Sequence, residues 1–156
     1  MSETYEEIIQ GETMLRLPPG LRHEKICAFL HRRMAGALGN ISPSKLLTPR
    51  SIVQVGPGTM LRPDLALVTA ATGKLWLAVE IVSSDDHRPD TVVKKSLYEE
   101  IKLARLWMVD PRYDNVEIYH GTPYGLALKN ILGGRELIEE ALLPEFRLTV
   151  VELFSS

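Results

Sequence analysis

Leu75-Trp76-Leu77-Ala78-Val79-Glu80-Ile81-Val82 is the stretch on which the fold turns. Seven of its eight residues are apolar, as a central strand covered on both faces requires. Glu80 is the exception. A carboxylate buried in such a strand costs free energy unless a partner offsets the loss of water. The flanking sequence offers partners. Upstream, Leu61 to Val68 reads as a neighbouring strand with Asp64 in its middle, inside Arg62-Pro63-Asp64. Downstream, residues 83–90 are polar and a helix is expected from about 89 to 104, since Pro89 suits a first helical turn and Asp90 suits the helix dipole. Lys94 lies on that helix, fourteen residues after Glu80. Leu106 to Val109 then reads as a short buried strand closed by Asp110-Pro111.

Further out, Ile26, Phe29, Leu30, Met34, Ala37 and Leu38 recur at helical spacing, which predicts an amphipathic helix over 22–38 ended by Gly39-Asn40. Residues 4–10 read as a short helix stopped by Gly11, and 13–17 as a strand followed by a turn at Pro18-Pro19-Gly20. Residues 40–51 read as a loop, 52–55 as a strand and 56–58 as a turn. Residues 115–120 alternate as a strand should, with weaker strand signals at 125–131 and 136–140. The segment 145–153 fits a helix or a strand equally. No internal repeat or low-complexity segment is present. The expected architecture is α/β (α+β): one domain over residues 1–156, a mixed sheet with a long helix on one face and a second helix crossing over to a central strand.

Composition bounds the function. The chain has 156 residues, 45% hydrophobic and 24% charged, which is ordinary for a globular protein with a real core. A formal net charge of −2 does not advertise nucleic-acid binding, although it leaves room for a local basic patch. The single cysteine, Cys27, excludes an internal disulfide and a cysteine-built zinc site. The first residues lack the basic and apolar regions of a signal peptide, and no run approaches the roughly 18 apolar residues of a membrane span. The expectation is a soluble cytoplasmic protein with no membrane partner.

Asp64, Glu80 and Lys94 form a constellation with chemical meaning. Phosphodiester hydrolysis by a metal-dependent enzyme uses hard oxygen ligands for Mg²⁺ or Mn²⁺ and a positive group near the scissile phosphate. Adjacent strands lie about 4.8 Å apart, so carboxylates on one face of two neighbouring strands can share an ion. A lysine on the covering helix would stabilise charge growing on the phosphate. Each residue also has an ordinary explanation. Pro63-Asp64 is a common turn or strand-start pair, and Glu80 fits a sheet residue paired with an arginine. Lys94 fits a solvated helix lysine four residues after Asp90.

A longer pattern surrounds these residues. It comprises Tyr5-Glu6-Glu7-Ile8-Ile9-Gln10-Gly11-Glu12, Pro18-Pro19-Gly20 with His23, Arg62-Pro63-Asp64-Leu65-Ala66, and Val79-Glu80-Ile81-Val82-Ser83. Asp90, Lys94 and Tyr98 follow, and Leu106-Trp107-Met108-Val109-Asp110-Pro111 closes it. In this ordered set the chain resembles the Uma-type restriction endonuclease family, a branch of the PD-(D/E)XK nuclease superfamily, from about Tyr5 to Tyr119. The resemblance implies a restriction-endonuclease-like core with Asp64 and Glu80 as metal ligands for Mg²⁺ or Mn²⁺. In the superfamily pattern a lysine follows the acidic residue by two. Here Val82 stands at that place, and Lys94 matches the family's relocated lysine. Tyr98, one helical turn after Lys94, is implied as a phosphate contact or a bridge to Lys94, with packing under the helix as the alternative.

Further residues enter through the same resemblance. Glu12 matches a family acidic position and is a possible member of the site, as are Asp90 and His23. His23 shares a helix face with Ile26, Cys27 and Leu30, so it also fits a half-buried, hydrogen-bonded histidine. Glu24 opens the same helix. The chain departs from the family in three places. Ser83-Ser84-Asp85-Asp86 stands where the family has Ser-Pro-Ser, Lys102 where it often has glycine, and Arg105 where it has an acidic residue. Arg88, Lys94, Lys95, Lys102 and Arg105 therefore make the second helix a candidate DNA-facing element. The implied function is a DNA endonuclease, catalytic through Asp64, Glu80, Lys94 and Tyr98, and dimeric or oligomeric because cutting two strands with one site per chain takes two copies. The rivals are a non-catalytic nuclease-fold module that binds nucleic acid or protein, and a phosphohydrolase acting on a smaller substrate.

Overall fold

The computed structural model describes residues 4–39, 42–82 and 88–155, with residues 88–90 described by their backbone alone. The expected first helix is a strand. β1 (Tyr5–Ile9) and β2 (Glu12–Arg16) form a hairpin in which Ile9 faces Glu12 across a two-residue loop. Both loop residues have positive φ, 52° at Gln10 and 80° at Gly11. That conformation matches the twist of paired strands and locks a hairpin where a stop-by-glycine reading had suggested a helix end.

The long helix appears as expected, as α1 (Leu21–Leu38), and the loop that follows holds a three-residue strand, β3 (Ser44–Leu46). β4 (Val53–Gly56) and β5 (Thr59–Leu61) form the next hairpin. The anticipated strand over 61–68 is broken in two: β5 ends at Leu61 and β6 (Leu65–Thr69) begins after Asp64. Pro63 has no N–H to give to a ladder, and the Arg62 N–H bonds the Glu7 carboxylate instead (2.7 Å). The two halves serve different sheets. β5 joins the four-stranded sheet β2-β1-β5-β4, while β6 joins the six-stranded one.

β7 (Leu75–Ile81) is the expected central strand. α2 (Arg88–Glu100) crosses from it to β8 (Arg105–Asp110), which pairs parallel to β7. The six-stranded order is β10-β9-β8-β7-β6-β3, with β9 (Asn115–Thr122) and β10 (Gly125–Gly133) as an outer hairpin. The C-terminal segment satisfies both of its readings in succession. β11 (Leu137–Glu140) pairs with β12 (Leu143–Thr149), and α3 (Val150–Phe154) follows from a capping box in which Thr149 and Glu152 bond each other's backbone.

β7 is covered on both faces. Leu77, Val79 and Ile81 pack with Ile26, Cys27, Leu30 and Met34 of α1. Ala78 and Val82 pack with Leu97 and Tyr98 of α2. Strand alternation thus turns Glu80 toward α2, the helix that carries Lys94. The buried Cys27 thiol is pushed up to about 12, chiefly by burial, and packs as a small apolar group.

α2 ends in a Schellman arrangement, with Leu103 N–H bonding Tyr98 O and Lys102 N–H bonding Glu99 O. Lys102 occupies the left-handed position, with φ of 56°. The strain explains why glycine suits this place. Lys102→Gly is expected to stabilise the fold by about 1 kcal/mol, measured as a higher urea midpoint.

Candidate active site

Asp64, Glu80, Lys94 and Tyr98 converge from three elements. Asp64 leads into β6, directly across from Glu80 in the antiparallel register that pairs Leu65 with Val79. One Asp64 oxygen, Oδ2, accepts the Ile81 N–H at 2.7 Å, which pins the carboxylate to the neighbouring strand. The Lys94 ammonium reaches in from α2 and donates to Glu80 Oε1 at 3.2 Å. Tyr98 donates its phenol proton to Glu80 Oε2 at 2.7 Å. A lysine relocated to a helix therefore arrives at the carboxylate by packing, on the same face as the tyrosine one turn later.

Burial governs the electrostatics. Glu80 is 8% exposed, and its carboxyl is pushed up to about 7. Loss of water is the main cause. The Lys94 ammonium pulls the other way, but the nearby Asp64 and Glu7 carboxylates reinforce the rise. Tyr98 is fully buried, and desolvation with the Glu80 charge raises its phenol well above the ordinary value. It keeps its proton and acts as a donor that fixes the Glu80 rotamer. The implied phosphate contact for Tyr98 does not fit a side chain with no exposed surface.

The member not anticipated from the sequence is Glu7. It is completely buried on β1 and binds three groups: Lys94 Nζ at 3.0 Å, Arg16 Nε at 2.8 Å and the Arg62 N–H at 2.7 Å. The hairpin that positions it leaves Glu12, one of the possible further members of the site, exposed at the start of β2. A Gln-Gly pair between two short strand-like runs was the available signal for that hairpin. Arg62 completes the arrangement by bonding Glu6 O at 3.1 Å and Arg50 O at 3.1 Å, so Arg62-Pro63-Asp64 fastens the hairpin beside the carboxylates.

On the far side of Asp64 lies a second cluster. Arg50 bridges Asp64 Oδ1 at 3.3 Å and Glu24 at 2.8 Å. His23 is 8% exposed, donates from Nε2 to Ile81 O at 3.0 Å, and lies 3.4 Å from Asp64 Oδ1. Burial pulls its pKa down, but the Asp64 carboxylate and the Ile81 carbonyl outweigh this and raise it above the usual value. His23 and Glu24 thus belong near Asp64. Arg50 had no sequence signal, since only the tertiary fold brings it there.

These groups floor a cleft of about 920 Å³ lined by Tyr5, Arg16, His23, Asp64, Glu80, Lys94 and Arg112, among others. Burial, with the neighbouring Asp64 charge, pushes the Tyr5 phenol above its ordinary range. The expected DNA-facing run of cations on and after α2 is divided. Lys94 turns inward, Lys95 sits over the Tyr119 ring, and Arg105 lies on β8 bonded to the buried Glu140 at 2.7 Å. Asp85, Asp86 and the side chains of Arg88 and Asp90 lie outside the described residues. Among the described residues no three His, Cys, Asp or Glu side chains form a ready-made metal cluster, and no helix is long and apolar enough to cross a membrane.

With Asp64 at the entry to β6, Glu80 on β7 and a parallel β7–α2–β8 crossover in a mixed sheet, the chain has a restriction-endonuclease-like fold. The chain belongs to the Uma2 family, whose model, described as "Putative restriction endonuclease", matches residues 2–151. A solved structure described as "a putative nuclease belonging to DUF820 from Anabaena variabilis ATCC 29413" shares the fold with a TM-score of 0.80. It is 15% identical, and the match covers 96% of this chain and 89% of that one. No curated protein matches the chain.

Proposed function

We propose that the chain is a metal-dependent DNA endonuclease that hydrolyses phosphodiester bonds. One observation carries this reading: two buried carboxylates, Asp64 and Glu80, line a cleft beside a buried ammonium. The donor set suits Mg²⁺ or Mn²⁺, being built of carboxylate oxygens. Asp64 and Glu80 would hold the ion, which when bound would supply Lewis acidity toward a phosphate and lower the pKa of water. Ile81 N–H and Tyr98 OH hold the two carboxylates in fixed orientations. Lys94, anchored between Glu7 and Glu80, presents a fixed positive charge for a phosphate oxygen. Arg22 and Arg112 line the same cleft and suit the flanking backbone phosphates. Two copies are needed if both strands are cut by a chain with one site.

The test is cleavage of supercoiled plasmid by purified protein. Nicked or linear product is expected with Mg²⁺ or Mn²⁺ and none with EDTA. A nucleotide substrate run in parallel separates a nuclease from a small-substrate phosphohydrolase. A second reading, a nuclease fold retained for binding, is favoured by one feature: Arg50 already contacts Asp64 and Lys94 already contacts Glu80. Thermal melts discriminate, because a cation bound only by the native state must raise the melting temperature. No shift in millimolar Mn²⁺ and no cleavage of any DNA would select the binding module.

A further inference from the structure

We propose that an apolar rim of the cleft holds unpaired bases, and that the substrate is single-stranded DNA. This rests on the nuclease reading above and names its substrate class. Leu15, Leu17, Pro18, Pro19 and Leu21 run from the end of β2 to the start of α1, and all line the same cleft as Asp64, Glu80 and Lys94. The three leucines are 66%, 71% and 74% exposed. Folding does not account for them. β2 is an edge strand of its sheet. The buried stripe of α1 begins at His23 and continues through Ile26, Cys27, Leu30 and Met34, leaving Leu21 outside it. Lone exposed leucines are ordinary, but an apolar run gathered on one rim of a charged cleft marks a binding surface.

Two chemistries side by side identify the occupant. Arg22 follows Leu21 directly and donates to Pro111 O at 2.7 Å and Asp114 Oδ1 at 2.8 Å. Those bonds fix its guanidinium at the cleft, with the side chain still 52% exposed. Arg112 lines the same cleft and is 43% exposed. Tyr5, across from Arg16 in the hairpin, adds an aromatic ring to the lining. A ligand that matches this set carries repeated negative charge and flat apolar faces. Nucleic acid has both, but a duplex hides the faces. Stacked bases present their edges in the grooves, and leucine and proline cannot pair those donors and acceptors; the thymine methyl is the apolar exception. Covering such edges with aliphatic groups removes water and returns no hydrogen bond. An unpaired strand turns its base faces outward, and grooves that hold such strands combine cations for the backbone with platforms for the bases. A second copy of the chain seated on the leucines would stand in the mouth of the cleft that a substrate has to enter.

The test is fluorescence anisotropy of a labelled DNA oligonucleotide, alone and annealed to its complement, with the full chain in EDTA at one fixed low salt concentration. Wild-type protein is expected to bind the single strand at least about tenfold tighter than the duplex, the scale of one or two base-face contacts. The double variant Leu17→Ser, Leu21→Ser should lose about tenfold in single-strand affinity and bind duplex as wild type does. Both positions are exposed, so an unchanged melting temperature is expected and shows that the variant is folded. With Mn²⁺ present, cleavage rates should follow the same order. Equal affinity for the two forms, or a folded variant that keeps the single-strand affinity, overturns the inference and leaves the nuclease reading to its plasmid test. A wild-type dimer that the double variant turns into a monomer assigns the leucines to a second copy and also overturns it. Single-strand preference without cleavage upholds the rim and removes the endonuclease. Protein that neither binds nor cuts DNA overturns both.

Discussion

Glu80→Gln is expected to lose DNA cleavage by at least about a thousandfold, the size of several kcal/mol of charge stabilisation removed from one centre, without losing folded stability. The amide keeps the shape and can still accept the Tyr98 proton. It removes a charge that burial holds at a cost, because the Glu80 carboxyl sits at about 7 in the fold. The sign follows from that rise. A carboxyl with a raised folded pKa favours the fold fully below its unfolded value of 4.5 and loses that contribution as pH climbs through about 7. Melts in EDTA should therefore show the glutamine variant gaining on wild type as pH rises from about 4.5 to about 7, and levelling above that. Lys94 retains Glu7 as a partner, so the variant does not strand a buried ammonium. Cleavage at the wild-type rate would remove Glu80 from the mechanism. A Tm deficit of the variant that widens between about pH 4.5 and pH 7 would refute the electrostatic account.

Glu7→Ala is expected to be the most destabilising substitution in the site, at about 3–5 kcal/mol, the cost of stripping one partner from a buried ion pair. That is a large share of the stability typical of a domain, about 5–15 kcal/mol. The loss is concentrated because one carboxylate serves Lys94, Arg16 and the Arg62 N–H together. Glu7→Gln preserves the shape and one acceptor, and should cost clearly less. Urea midpoints of the two variants measure the difference. If alanine and glutamine behave alike within about 1 kcal/mol, the charge at Glu7 is not what holds the three groups.

The central part of the fold was legible because its signals are local. The apolar run of β7, the polar gap, the helical spacing of α2 and the short β8 specify a crossover without tertiary knowledge. Strand alternation placed Glu80 on the α2 face, and the i, i+4 spacing of Lys94 and Tyr98 placed both on one face of that helix. The hairpin was misread because Tyr5–Ile9 contains residues compatible with either state, and its identity rests on two positive φ angles in the turn. That one error hid Glu7 and promoted Glu12. The break at Pro63 was written in the sequence but was outweighed by the apolar residues on either side. Arg50 could not be found from the sequence, because its meaning depends on a loop folding back across Glu24 and Asp64.

The N-terminal hairpin also makes the centre depend on two sheets at once. Glu7 belongs to the four-stranded sheet, Glu80 to the six-stranded one, and Lys94 to the helix between two strands of the latter. The ammonium is held by carboxylates contributed by the first and the middle parts of the chain. A molecule whose hairpin has not docked has its lysine tethered on one side alone. The ion-paired centre is thus complete only where the hairpin is docked, and the chain carries its own interlock: the ammonium is held on both sides only in a fully assembled copy.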